Sequence, residues 1–436
     1  MKKFRLRIPT QLYILLTFAL VILFGTICFV LPFSTLDGKG LSFINALFTS
    51  TSATCVTGLS TINCSELSLF GKIILAVLIE LGGLSFLTIA TFIYSMFSKM
   101  SIGSFKLMTE ALNYDRPGEV VKMIRKVLLI AAVIQLIGFS FNTIIFHFEY
   151  GMSVPQALGY GAFHAISSFN NAGFDIFGTN SLIDFSSDGF ININTMLLII
   201  LGGIGLLVID EVLRKRRWRK FSLNTKVVLI TTISLLVLGT LLFKLTMFKE
   251  MSWLQALFQS TSARTAGFAT YDMTKLNTTG YIIMISLMFI GASPASTGGG
   301  LKTTTLFVLI LVMIRFVRGE KYSVFKRKIP TQLVHKAFVI FVIEIVYVLI
   351  ATFLMAIFEP NISFDRLLFE VVSAFATVGL SMGITGELSL GGQIIIIVTM
   401  YIGRLGPLTI LSLSNNKKNI IKDKQISYIE EKIIIG

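Results

Sequence analysis

Apolar residues run down this chain in long blocks rather than in the short alternations of soluble strands or helices. Eight blocks reach the length of about 20 residues that crosses a roughly 30 Å hydrocarbon core. They lie at about 11–32, 70–97, 127–148, 192–213, 226–243, 280–317, 336–358 and 391–414. The sixth is interrupted. Its middle, Ser293 to Thr305, holds three consecutive glycines, a proline, a lysine and six hydroxyl side chains. Polar, non-helical backbone survives at membrane depth only when buried in protein or lining a water-filled path. The N-terminal "MKKFRLR" and the apolar run behind it imitate a signal peptide. That run exceeds the usual apolar region of about 7–15 residues and lacks an A-x-A cleavage site, so a retained first helix is predicted.

Alternate connections between these blocks repeat one pattern: an apolar segment too short to span, then a polar stretch with a glycine. They read "FINALFTSTSATCVTGLS" (43–60), "QALGYGAFHAISSFNNAGFDIF" (156–177), "LQALFQSTSARTAGFAT" (254–270) and "FDRLLFEVVSAFATVGLSMG" (364–383). Ser52, Ser167 and Ser373 each precede a glycine (Gly58, Gly173, Gly379) by six positions, and Ser262 precedes Gly267 by five. A second glycine follows 24 residues later in three copies, at Gly82, Gly291 and Gly403, and 29 later at Gly202. Internal repetition of this kind predicts a symmetric array. The fold class is therefore all-α and polytopic, with four fused helix–pore loop–helix units around a central ion pore. The units are placed at 1–100, 101–220, 221–325 and 326–414, with an intramembrane gating loop at 292–305 and a cytosolic tail at 415–436.

Four such units bring four glycine loops to one point. Glycine reaches backbone angles that turn carbonyls inward, and a ring of carbonyls can replace the water shell of a monovalent cation. The half-helices ahead of the loops point their partially negative C-terminal ends at the same place.

Composition agrees. The 436 residues are 54% hydrophobic and 14% charged, against about a quarter charged in soluble proteins. The net charge of +15 suggests lipid and topology rather than nucleic acid once its distribution is read. The N-terminus, residues 99–126, 214–226, 315–336 and the tail after 416 hold 29 of the 38 basic residues. The connections at about 33–72, 149–191, 244–279 and 359–390 hold seven. The positive-inside rule places both termini in the cytoplasm, and "RKRRWRK" (214–220) also suits a partner. Cys28, Cys55 and Cys64 show no paired spacing, so neither a disulfide framework nor a metal site is expected. His164 near Ser167 lacks an oriented acid, so hydrolase chemistry is not supported.

These motifs resemble the Trk/Ktr/HKT superfamily of potassium transporters. The resemblance rests on "TSATCVTGLS", "SSFNNAGFD", "STSARTAGF", "SAFATVGLS" and "GASPASTGGGLKTTT" and covers nearly the whole chain. Eight spans without additional N-terminal helices look most like the membrane subunit of a Ktr system. The resemblance implies potassium uptake, with sodium as an activator, through one pore per subunit of a homodimer in the cell membrane. It also implies gating by a cytosolic ring of RCK-type regulatory subunits. No G-x-G-x-x-G βαβ unit occurs here, so the nucleotide would bind the partner chain. No covalent cofactor is implied.

Carried onto this sequence, the selectivity filter comprises Cys55, Val56, Thr57 and Gly58; Asn170, Asn171, Ala172 and Gly173; Thr265, Ala266 and Gly267; and Thr377, Val378 and Gly379. The gate comprises Ala295, Ser296, Thr297, Gly298, Gly299, Gly300, Lys302 and Arg404. A mid-membrane cation usually faces a cavity or a partner. Arg404 is read as facing the pore and the gate loop, with snorkelling or pairing to Glu80 or Glu344 as the alternative. Water in the pathway is expected to satisfy the loop's freed backbone groups. Arg264 is expected to stabilise the filter or outer mouth, and Asp175, Glu66 and Glu387 lie near that mouth. The tail "ISYIEEKIIIG" suits docking on a second subunit.

Overall fold

The protein is described here by a computed structural model covering residues 10–84, 120–178 and 180–406. The unit boundary at 100/101, the far half of the span at 70–97 and the docking tail lie outside the described residues. Unit one contains α1 (Thr10–Val30), α2 (Phe43–Cys55) and α3 (Leu69–Gly83). Unit two contains α4 (Val120–Phe148), α5 (Val154–Phe169), α6 (Gly189–Ile204) and α7 (Leu206–Lys215). Unit three contains α8 (Leu223–Thr246), α9 (Trp253–Ser262), α10 (Thr278–Phe289) and α11 (Thr303–Val317). Unit four contains α12 (Thr331–Phe358), α13 (Phe364–Phe375) and α14 (Leu390–Leu405). A hairpin of two-residue strands, β1 (Ser323–Val324) and β2 (Arg327–Lys328), joins units three and four.

The first helix of each unit is long and apolar enough to span: Leu12–Val30, Lys122–Phe148, Leu223–Thr246 and Thr331–Phe358. Large apolar side chains such as Leu20, Ile27, Leu245 and Phe353 stand exposed on them, as a lipid-facing belt requires. The second helices, α2, α5, α9 and α13, are too short to span and are buried along their C-terminal halves.

The third helices begin alike. Ser68, Asp188, Asn277 and Ser389 each stand 14 residues before the second glycine of their unit. Their side chains accept from Gly71 N (3.2 Å), Phe190 N (2.8 Å), Gly280 N (2.7 Å) and Gly392 N (3.2 Å). Such caps contribute about 1 kcal/mol each and set where the helix starts. Each third helix then packs on the short helix of the following unit: α3 on α5, α6 on α9, α10 on α13 and α14 back on α2. The ring is closed.

The second glycines permit this closeness. A Cβ at Gly82, Gly202 or Gly403 would strike the carbonyl of Thr54, Phe169 or Phe375, each four residues before its unit's loop glycine. In unit three the place of that carbonyl is taken by Gly299 O of the interrupting loop, against Gly291.

Two sequence expectations need correction. The span at 192–213 is not continuous, because the chain bends by 94° at Gly205 between α6 and α7. Gly205 has φ +95°, and Pro294 O would lie 2.9 Å from a Cβ there, so the interrupting loop fills the inside of the bend. Glu211 on α7 then accepts from Ser222 N (3.0 Å), Ser222 Oγ (2.6 Å), Lys215 and Thr225, which ties α7 to the start of α8. Secondly, the interruption closes at Lys302 rather than 305. Thr303 opens α11, its hydroxyl bonded to Ser293 Oγ (3.0 Å).

Candidate functional site

The four glycine loops meet edge to edge. A Cβ on Gly58 would stand 2.5 Å from Ala172 O and 3.1 Å from the Cα of Gly173. A Cβ on Gly173 would stand 2.9 Å from Ala266 O; one on Gly267 would strike Val378 O, and one on Gly379 would strike Thr57 O. Each glycine thus faces the carbonyl just before the next unit's glycine, and the fourth returns to the first.

The loop backbone repeats as well. Positive φ occurs at Gly58 (97°), Gly173 (70°), Gly267 (79°) and Gly379 (95°), and also two residues earlier at Val56 (58°), Asn171 (58°), Thr265 (78°) and Thr377 (52°). For β-branched Val56, Thr265 and Thr377 this conformation costs on the order of 1–2 kcal/mol each. The hydrogen bonds that hold it come from the short helices. Thr57 N donates to Ser52 O, Ala172 N to Ser167 O and Val378 N to Ser373 O, all at 2.8 Å. This six-to-one closure ends a helix on a left-handed residue, a place glycine usually holds. In unit three the bond is one residue shorter, Ala266 N to Ser262 O at 2.9 Å. That explains the five-residue spacing from Ser262 to Gly267.

The same serines clamp the loops through their hydroxyls. Ser52 Oγ accepts from Gly58 N (3.1 Å) and Ser373 Oγ from Gly379 N (3.0 Å). Ser167 and Ser262 instead donate, to Phe174 O (2.6 Å) and Phe268 O (2.5 Å). His164 is bonded to Thr195 Oγ1 (2.8 Å) and serves packing in the core of unit two, not Ser167.

On one side of the ring the four glycines line an open cavity of about 630 Å³. Asp175 lines it, as expected; Asp272, unremarked in the sequence, lines it too, whereas Glu66 and Glu387 do not. Asp175 accepts from Phe177 N at 3.2 Å. Asp272 accepts from Thr274 Oγ1 (2.7 Å) and N (3.0 Å), and these bonds, with Lys275 beside it, hold its carboxyl below the usual carboxylate range. Arg264 is not at the mouth. It is buried, and its Nε and Nη1 have no hydrogen-bond partner among the described residues.

On the other side of the ring the interrupting loop lies against units two, three and four and is linked to unit one through Arg404. Gly298 fits against Thr265 Oγ1, Gly299 against Thr377 Oγ1, and Gly300 against the Ala376 methyl, where a Cβ would come within 3.1 Å. Gly299 N donates to Thr377 Oγ1 (3.0 Å). Thr297 reaches unit two, its N–H donating to Gly202 O (3.4 Å) and its hydroxyl to Phe169 O (3.4 Å). Arg404 joins Thr297 O to the carbonyls of Gly82 and Gly83 in unit one. It therefore pairs with neither Glu80 nor Glu344. Glu80 is held instead by Asn170 Nδ2 (2.6 Å) and Gln135 Nε2 (3.1 Å). Cys55 is buried, and the Asn171 amide lies 3.2 Å from Thr265 Oγ1. Lys302 Nζ donates to Gly298 O (2.7 Å) and Gly299 O (3.4 Å). Ala295 and Ser296 sit at the loop's far edge, Ser296 Oγ bonded to Ser293 O (2.6 Å).

Residues 297–299 of the loop are buried, and protein atoms accept from several of its N–H groups: Ser293 N donates to Gly203 O (3.1 Å), Thr297 N to Gly202 O and Gly299 N to Thr377 Oγ1. Among the described residues the three cysteines are free and no cluster fit for a metal ion occurs.

Comparison with known proteins gives the context. Residues 17–419 match the TrkH family, described as cation transport protein. The chain is 38% identical to Ktr system potassium uptake protein B of Vibrio alginolyticus, over 97% of this chain and 94% of that protein. It is 36% identical to potassium/sodium uptake protein NtpJ of Enterococcus hirae, over 100% and 99% respectively. The solved potassium transporter TrkH from Vibrio parahaemolyticus shares the fold, with a TM-score of 0.72 at 19% identity over 95% of this chain and 86% of that one. The relatives are transporters, not enzymes. With four glycine loops closed into one ring and a family match that spans nearly its whole length, the chain belongs to the TrkH family of cation transport proteins.

Proposed function

We propose that this protein is the ion-translocating subunit of a Ktr-type potassium uptake system in the cell membrane. The carrying observation is the closed ring of glycine loops between an outer cavity and a buried loop. Alternating positive and negative φ along 56–58 and its three counterparts turns successive carbonyls toward one side, the arrangement that replaces a monovalent cation's hydration shell. The four loops from Cys55, Asn170, Thr265 and Thr377 to their glycines form the selectivity filter, and residues 295–302 with Arg404 form the gate. Gating comes from a cytosolic ring of nucleotide-binding subunits, to which the basic run at 214–220 is suited. The working unit is a homodimer with cytoplasmic termini, and sodium stimulates it. No hydrolysis is needed, since 100 mV contributes about 2.3 kcal/mol per charge, roughly 50-fold accumulation. Liposomes containing the purified full chain should take up potassium under an inside-negative voltage, and sodium more slowly. A folded protein without such uptake would sink this reading.

Asp175 makes that uptake depend on external pH. Burial pushes its carboxyl up to about 6, against the Phe177 and Gly178 amides that favour the charged form. It is ionised at pH 7 and neutral below about 6. Neutralising it removes a negative charge from the cavity that gathers cations, so uptake at low potassium should fall roughly two- to fivefold between pH 7 and 5. Asp175→Asn should be slow throughout and lose this dependence. If the mutant keeps the parent's pH profile, Asp175 is not the titrating group.

A further inference from the structure

Lys302 carries its charge where a helix least favours one. It is the N-terminal cap of α11, at the partially positive end of the helix, and its side chain makes no cap bond. The two loop carbonyls, Gly298 O and Gly299 O, compensate in this conformation. Opposite, on α12, stands Glu344. It is 5% exposed, its Oε2 has no hydrogen-bond partner among the described residues, and the charge that acts on it is Lys302. Helices α11 and α12 pack together, so Lys302 at the start of α11 and Glu344 belong to neighbouring helices. Yet they form no ion pair in this arrangement. A buried carboxylate oxygen without a partner is costly and in a membrane protein points to a second state.

We propose that Glu344 is the seat of the Lys302 ammonium when the pathway is open. With Lys302 on Gly298 O and Gly299 O, the glycine tip is pinned beneath the filter loops of units three and four. With Lys302 on Glu344, those carbonyls are released, the cation leaves the loop tip, and the carboxylate gains its missing donor. Glu344 is thus a positioning residue that acts through Lys302 on the conducting state. This rests on reading residues 295–302 as the gate.

The test is potassium flux through the full chain in liposomes, with Glu344→Gln made in the parent and in Lys302→Gln. In the parent the substitution should slow flux about tenfold, the worth of one charge-assisted hydrogen bond. In Lys302→Gln it should change flux less than about twofold. Glu344→Asp keeps the charge and should lose less than Glu344→Gln; if the glutamine variant does not fold, the aspartate variant carries the same comparison. An equal loss in both backgrounds, or no loss in the parent, overturns the proposal. Failure of the gate reading shows differently: removing residues 295–300 would then not raise flux, whereas a wrong role for Glu344 leaves that rise intact.

Discussion

Deletion of Ala295 to Gly300 should raise potassium flux by more than about tenfold and remove most of its dependence on the regulatory ring proposed above. The segment joins the other units through Thr297 to Gly202 and Phe169, Gly299 to Thr377, and Arg404 to Thr297. At about 1 kcal/mol net for each bond, their loss shifts the closed state by several kcal/mol. The observed rise is smaller because the open fraction cannot exceed one. Helices α10 and α11 lie outside the deleted residues. The carbonyls of Gly202 and Phe169, left without donors, would then face water in an opened path rather than lipid. Arg404→Ala should move flux the same way by a smaller factor, since it cuts the link to unit one and leaves the glycine tip in place. Uptake in a transport-deficient cell and in liposomes, at matched expression, decides it. A deletion that folds normally yet conducts less than its parent means that the loop is structural.

The repeat was legible because its spacings carry geometric duties. The distance from Ser52, Ser167 and Ser373 to the loop glycines is fixed by a helix closure and a hydroxyl clamp. The second glycines are fixed by a carbonyl that leaves no room for a Cβ. The 14-residue interval from Ser68, Asp188, Asn277 and Ser389 was equally present in the sequence. It stays hidden because three residue types perform one capping task. The bend at Gly205 was hidden for another reason: apolar residues continue through it, and hydropathy reports burial in lipid or protein, not direction. Nor could composition tell that Val56 and Thr377 would adopt left-handed backbone, where local preference opposes the conformation and tertiary bonds impose it. The acceptors of Arg404 are backbone carbonyls, which every sequence possesses everywhere. Contact of Arg404 with the loop was expected from the sequence, but the carbonyls of Thr297, Gly82 and Gly83 that accept from it carry no sequence signal that sets them apart from Glu80 and Glu344, the acidic alternatives.

Gly58→Ser should admit sodium alongside potassium, lowering rubidium-over-sodium selectivity by about tenfold or more while the protein still folds. Two effects act together. At φ +97° a side chain is strained whatever the space, at a cost on the order of 1–3 kcal/mol. The new Cβ would also stand 2.5 Å from Ala172 O, closer than real contacts allow, so one of the two loops must move. Movement in one loop is not contained there. Gly173 bears on Ala266 O, Gly267 on Val378 O and Gly379 on Thr57 O, so a displaced carbonyl presses its neighbour around the ring. Discrimination between potassium and sodium depends on how many carbonyls reach the ion and how freely they close on it, so a distorted ring loses preference before it loses conduction. Gly386→Ala supplies the control. Gly386 borders the same outer cavity, has open space where a Cβ would stand, and should keep the parent's selectivity. Fluxes of rubidium and sodium into liposomes, normalised to folded protein, make the comparison. Selectivity left unchanged in folded Gly58→Ser would mean that these four loops pack together without selecting the ion.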